Sequence, residues 1–234
     1  MSGDREQSMT RISCKGPVRL ILASKSPRRL KLLRRIGLEP EVIVSGIREN
    51  TVEKEPEKVV MDLSRQKAEH VAEELGLYSS GRAGSRNAGR SPDDQAYAAT
   101  VVIGADTVVC TEGKILGKPH THAEAERMIR MIQGKKHQVF SGVTILMFSE
   151  GKDARVKRFT FSQKTEVSVY PMSDAEMREY SLSGEPMDKA GAYAIQGFFG
   201  RYIQGIEGDF SNVVGLPAGA VYQMLRDMLA EQKA

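Results

Sequence analysis

A chain of 234 residues, 27% of them charged and 40% hydrophobic, has the make-up of an ordinary soluble globular protein and is long enough for one large domain or two lobes sharing a core. With 34 Lys and Arg against 30 Asp and Glu, the net charge of +4 is too even for a dedicated nucleic-acid binder and fits a local anion site better. No apolar stretch nears the roughly 20 residues of a membrane span, the polar start MSGDREQSMT has no targeting character, and two cysteines make no disulfide framework, so a reducing cytoplasm is the expected compartment.

Residues 1–16, with Cys14 among them, are expected to form a flexible extension, and a single α/β domain is expected over 17–234. Residues 18–23 (VRLILA) predict a buried strand. Ser26 as N-cap and Pro27 at the first helical position then start a helix with a Leu30, Leu33, Ile36 stripe, ended by Gly37. Residues 42–44 predict a second strand. Residues 56–75 predict a long helix whose apolar face includes Val60, Leu63, Val71 and Leu75. Residues 79–95 are Gly, Ser, Arg and Asp without apolar periodicity, which predicts a mobile loop.

Order resumes at Thr100 with TVVIGADTVVC, a strand interrupted by one acid and closed by Cys110, read as a buried, inert thiol. A hairpin turn over 111–114 leads into residues 115–118. Thr121 with Glu124 predicts a capping box for a helix running to Gly134. Residues 138–148 and 155–170 predict two strands. Ser173 with Glu176 predicts a second capping box, and a glycine-rich tract runs from Gly184 to Gly215 before a last helix starting at Pro217. Helices alternate with strands and hairpins also occur, so the fold class is α/β with a mixed sheet.

Four features sit awkwardly with a purely structural role. Lys25, Arg28 and Arg29 crowd a helix N-terminus, where the macrodipole is already positive; an anion held by guanidiniums and free N–H groups would relieve this. A solvated basic face continuing through Lys31, Arg34 and Arg35 is the alternative, and position alone leaves both open. Asp106 lies in an apolar strand, where an uncompensated carboxylate costs several kcal/mol; such acids are often catalytic or metal-binding. A structural network with Thr107 would also accommodate it. Lys67 falls inside the apolar stripe of its helix, where a lysine ordinarily snorkels to the edge but could instead point its ammonium into a cleft. The tract 184–215 carries seven glycines, suited to close backbone approach to a phosphate or a base, but equally common in surface loops. The four histidines and two cysteines form no zinc pattern. An acid, cations and glycine-rich backbone suit phosphoryl chemistry with a hard divalent metal better than acyl transfer.

Together the segments LASKSPRRLKLLRRIG (22–37), VIGADTVV (102–109), GKILGKP (113–119) and SGEPMDKAGAYAIQGFFGRYIQGIEGDFSNVVGLP (183–217) resemble the Maf family of nucleotide pyrophosphatases, in the family's order. The resemblance implies a two-lobed fold like that of inosine triphosphate pyrophosphatases, with a twisted mixed sheet, flanking helices and a cleft between the lobes. It implies a homodimer, a Mg²⁺ or Mn²⁺ cofactor, and a nucleoside triphosphate substrate cut between its α and β phosphates. By motif match Asp106 is the catalytic acid residue. Arg28, Thr107 and Gln196 correspond to positions linked to substrate choice. Ser26, Arg29, Lys67 and Lys118 fall around the triphosphate, and Glu49 joins Asp106 near the metal. The family is usually richer in acids before that glutamate, whereas this chain reads Ser45-Gly46-Ile47-Arg48-Glu49. Asp106-Thr107 and Ile195-Gln196-Gly197 follow the branch acting on dTTP and UTP, not the one acting on 7-methyl-GTP. Two other functions stand beside this expectation: a nucleic-acid-binding regulator of division without catalysis, against which the 6% aromatic content argues, and a house-cleaning enzyme for modified nucleotides.

Overall fold

Apolar β-formers at 18–23 make strand β1 (Val18–Ala23), which pairs in parallel with β2 (Glu41–Val42) on one side and β3 (Ala99–Thr111) on the other. The computed structural model describes residues 16–78, 97–149 and 155–231. The expected extension, with Cys14, and the expected loop at 79–95 therefore lie outside the described residues, apart from Gly16. Parallel neighbours need crossovers; these are helix α1 (Pro27–Arg35) between β1 and β2, and α2 (Pro56–Glu74) between β2 and β3.

The rest of the sheet is antiparallel. β4 (Lys114–Leu116) folds back on β3; β5 (Lys136–Ser149), β6 (Val156–Val169) and β7 (Ile203–Glu207) extend the sheet to the order β2-β1-β3-β5-β6-β7. Helix α3 (His122–Ile132) precedes β5, α4 (Asp174–Leu182) follows β6, and α5 (Phe210–Val214) and α6 (Ala218–Ala230) close the described chain. The mixed α/β class holds. No helix among the described residues is long and apolar enough to cross a membrane.

Side-chain alternation along the strands sorts the core onto two faces. Ile21, Val102 and Leu146 meet Ala68, Val71 and Ala72 of α2. Leu22, Ile103 and Ile145 point the other way, onto α1 and α6. On that second face a separate apolar cluster gathers α3, α4 and the far ends of β3, β5 and β6. A polar seam lies between the two clusters: Thr107, Ser141, Asn212 and Thr165 are linked through Thr107 Oγ1 to Ser141 Oγ (2.8 Å), Ser141 Oγ to the Asn212 carbonyl (3.2 Å) and Asn212 Nδ2 to Thr165 Oγ1 (2.9 Å).

Several local expectations need correction. Ser26 occupies the N-cap position, but its side chain caps nothing; buried Ser24 instead accepts the Ser26 N–H (3.2 Å) and so takes over the local bond. The second strand is residues 41–42, not 42–44, because after one further bond from Ile43 N–H to the Leu22 carbonyl the chain leaves the sheet edge. Thr121 accepts the Glu124 N–H as expected, yet the Glu124 carboxylate reaches past it to the His120 N–H (2.9 Å), so the box is half made. The Ser173–Glu176 box is complete. Pro217 stands just before the last helix, whose Ala218 N–H donates to Ser211 Oγ. The glycine-rich tract holds a strand, β7, that its composition concealed. Cys110 is buried, and burial pushes its thiol up, in keeping with an inert thiol.

Candidate active site

Helix α2 lies unusually close to the sheet. A Cβ on Gly104 of β3 would stand 2.2 Å from the Ser64 carbonyl oxygen, and one on Gly142 of β5 would stand 2.2 Å from that of Val60. With no side chain at either point the helix backbone rests directly on the strands, and Ser64 Oγ bonds Thr144 Oγ1 at 2.9 Å. This contact places Lys67 over Asp106. Lys67 Nζ donates to Asp106 Oδ1 at 2.5 Å and lies 3.1 Å from Glu49 Oε1. The side chains of Lys67 and Asp106 are 11% and 12% exposed, against 51% for Glu49. Of the two readings of Lys67, snorkelling to the core's edge thus falls and the ammonium pointing into a cleft holds: the buried carboxylate keeps it inward, which removes the uncompensated charge on both. The alternative of a shared Asp106–Thr107 network falls as well, because neighbouring strand residues face opposite ways.

Thr107 points to the polar seam. Its hydroxyl lies 3.1 Å from Arg29 Nη2, which donates to it, and within bonding distance of Ser141 Oγ and the Gly215 carbonyl. Arg29 also donates from Nε to the Gly215 carbonyl (2.8 Å) and from Nη1 to Ser24 Oγ (3.0 Å). Burial pulls the Arg29 guanidinium below its ordinary value, an effect opposed by the charge of Asp106 and increased by that of Arg28. Arg29 therefore braces α1 against the α5 terminus as well as facing the cleft.

A cleft of about 850 Å³ gathers every site residue expected from the motif match: Ser26 just before α1, Arg28 and Arg29 on it, then Glu49, Lys67, Asp106 and Thr107, and finally Lys118 and Gln196. Six Lys or Arg and three Asp or Glu line it, so a local excess of three stands beside a whole-chain excess of +4. The mild basicity of the chain is concentrated here, as an anion site requires. Lys118 and Gln196 are exposed within the cleft, and Lys118 has no ion-pair partner among the described residues.

Sequence reasoning missed two charged residues that line this cleft, Asp188 and Lys189, and a third, Glu185, that lies behind it. Asp188 accepts from Arg28 Nη1 (2.9 Å) and from the Lys189 ammonium, joining α1 to the glycine-rich tract. Burial would raise the Asp188 carboxyl, but hydrogen bonds from Lys189 and Arg28, together with their charges, hold it at about 2. Lys189 also donates to the Glu185 carbonyl (2.6 Å). In a glycine-rich stretch such acids and bases read as solvated loop residues; only the adjacent Glu-Pro-Met-Asp-Lys order hinted otherwise. Gly104 and Gly142 were legible as glycines inside apolar strands, a known mark of close backbone approach.

For a divalent metal the described residues offer the hard carboxylate oxygens of Asp106 and Glu49, both of which also face the Lys67 ammonium, and no group of three or more His, Cys, Asp or Glu. Two carboxylates suit Mg²⁺ or Mn²⁺ arriving with a polyphosphate, which supplies further oxygens; a closed all-protein cage would need more.

The sequence profile of the Maf-like proteins matches residues 19–228. A dTTP/UTP pyrophosphatase of Agathobacter rectalis is 46% identical over 209 residues, covering 89% of this chain and 97% of its own. One from Carboxydothermus hydrogenoformans is 38% identical over 210 residues, covering 90% and 98%. Among solved structures, a HAM1 protein from Coxiella burnetii is 15% identical, with a TM-score of 0.40 over 92% of this chain and 99% of its own.

Proposed function

This chain belongs to the Maf-like protein family, and from that premise we propose that it hydrolyses dTTP and UTP to the nucleoside monophosphate and pyrophosphate. The observation that carries the reading is the Asp106–Lys67–Glu49 cluster in a cleft lined by more cations than acids.

Asp106 uses Oδ1 for Lys67, and no described residue donates to Oδ2. That oxygen takes a proton from water as the water oxygen attacks the α-phosphorus; the bond from the α-phosphorus to the bridging oxygen breaks, and pyrophosphate departs. Lys67 fixes the carboxylate and keeps a donor direction for the substrate. Arg28 and Lys118, which both line the cleft, offset the triphosphate's charge, which is what a leaving pyrophosphate needs. Asp106 and Glu49 would hold Mg²⁺ or Mn²⁺, which supplies charge neutralisation and Lewis acidity at the phosphates.

Gln196 reads the base. Uracil and thymine offer two carbonyl oxygens flanking an N–H, and a glutamine amide has both a donor and an acceptor to meet them. Binding without catalysis is not favoured, since a basic stacking platform would be expected and the cleft instead gathers carboxylates around a lysine. A homodimer, implied by the family, belongs to the same reading, and light scattering tests it.

The deciding experiment is product analysis with UTP and dTTP in the presence of Mg²⁺ or Mn²⁺. Monophosphate and pyrophosphate as first products are expected; diphosphate and orthophosphate would sink the assignment.

A further inference from the structure

Gln196 sits on a short stretch with little regular structure to hold it. Its neighbour Gly197 begins a 3-10 turn, Phe198–Tyr202. Both N–H groups at the start of that turn end on one side chain: Phe198 N–H donates to Glu185 Oε2 at 2.8 Å, and Phe199 N–H to Glu185 Oε1 at 3.3 Å. Tyr180 Oη donates to Oε1 at 2.9 Å. Burial raises the Tyr180 phenol, and the Glu185 charge raises it further, so the hydroxyl keeps the proton that it donates. A Cβ on Gly197 would fall 2.3 Å from Oε2 and 2.6 Å from Oε1, so the carboxylate fits under this loop only because residue 197 has no side chain.

The same residue reaches the phosphate side of the cleft through its main chain. The Glu185 carbonyl accepts from Lys189, which pairs with Asp188, which pairs with Arg28. One residue thus ties the Gln196 loop to Lys189 and, through Asp188, to Arg28 in the cleft lining.

We propose that Glu185 is a positioning residue for base selection: its carboxylate sets the height of the Gln196-Gly197-Phe198 loop and so places the Gln196 amide against a pyrimidine ring. The proposal rests on the reading of Gln196 as base reader. Three donors face the carboxylate, and only an acceptor at both oxygens satisfies them. Glu185→Gln keeps the shape but turns one acceptor into an NH₂ donor, which in either orientation faces a backbone N–H, that of Phe198 or of Phe199, and pushes the loop away.

The test measures kcat/KM for UTP and CTP on the full chain for Glu185→Gln, Gln196→Ala and the double variant, with melting temperatures alongside. Glu185→Gln is expected to lower the UTP-to-CTP ratio about tenfold, and to lower it no further once Gln196 is Ala, the signature of two residues acting through one contact. An unchanged ratio in Glu185→Gln, or an equal fall in both backgrounds, overturns the proposal and leaves Glu185 a structural cap. A ratio untouched by Gln196→Ala alone removes the base reader itself, and the proposal with it, while product analysis still judges the hydrolysis separately. Should Glu185→Gln fail to fold, Gly197→Ala, which displaces the same carboxylate, is scored on the same two backgrounds by the same criterion.

Discussion

The end of the cleft around Asp106 stands on a 13-residue strand and a 19-residue helix, whereas the end around Gln196 stands on 3-10 turns of three to five residues. At the first end, position follows from strand ladders and from a helix backbone pressed onto glycines. At the second it follows from a few side-chain contacts, those of Glu185 above all. Groups held by ladders move only if the sheet moves. Groups held by one carboxylate move when that carboxylate does. The two ends therefore suit different tasks: reacting groups need fixed geometry, while a base reader can be retuned through a few positions without disturbing the chemistry.

The largest expected effect strikes the rigid end. Asp106→Asn removes the proton acceptor while keeping the shape, so kcat should fall at least about a hundredfold for UTP and dTTP alike, with no change in the preference between UTP and CTP. A folded variant with near-normal turnover would refute the role, and a changed preference would show that the two ends are not separable.

Gln196→Glu strikes the other end. An ionised glutamate can only accept, so a contact with a base carbonyl becomes a repulsion between two acceptors. With about 1–3 kcal/mol for an unpaired group, kcat/KM for UTP should fall roughly tenfold or more, and less for GTP. A uniform loss over UTP, CTP and GTP would retire base reading in favour of a loop-holding role.

How far these ends were visible beforehand also differs. Asp106 was legible because an acid among Val and Ile has no apolar explanation, and Arg28 because cations at a helix N-terminus need one. Lys67 was visible as an oddity but its direction was not: the contact that turns it inward depends on Gly104 and Gly142, from strands distant in sequence. Glu185 and Asp188 were hidden but for the order of their neighbours. Each has one partner close by, Tyr180 and Lys189, but the contacts that tie them to the site, to Phe198 and Arg28, lie 13 and 160 residues away, and a Gly-rich tract does little to mark an acid as spoken for. The strand β7 escaped because three of its five residues are Gln, Gly and Glu and most of it is exposed, leaving no buried stripe to read.

Gly142→Ala tests the rigidity claimed for the catalytic end. Its new methyl would overlap the Val60 carbonyl, so α2 must lift or the strand must shift, at a cost of about 1–3 kcal/mol. Lys67 should move with the helix. The melting temperature and kcat should fall together, while the UTP-to-CTP ratio stays put. Full stability in the variant would mean that the helix rides more loosely on the sheet than the contact implies.

The smallest effect concerns pH, and it singles out the Gln196 end. His137 on β5 is buried, with Nε2 2.8 Å from Tyr193 Oη and no described partner for Nδ1; Tyr193 lines the cleft three residues before Gln196. Burial lowers the His137 pKa from 6.5 to about 4. Above about pH 6.5 neither the folded nor the unfolded chain binds this proton, and stability is independent of it. Between 6.5 and 4 the unfolded chain takes the proton and the native one does not, so stability drops as pH drops, by about 1.4 kcal/mol at pH 5.5 and levelling near 3 kcal/mol below pH 4. A variant with an uncharged residue here, His137→Gln, lacks that term. Lowering the pH from 7.5 to 5.5 should therefore cost the native protein about 3–5 °C more in melting temperature than it costs the variant. Carboxylate titrations are common to both and cancel in the difference. Parallel melting curves would mean that His137 accepts its proton without penalty, and that the packing beneath the Gln196 tract is looser than a buried, half-partnered imidazole requires.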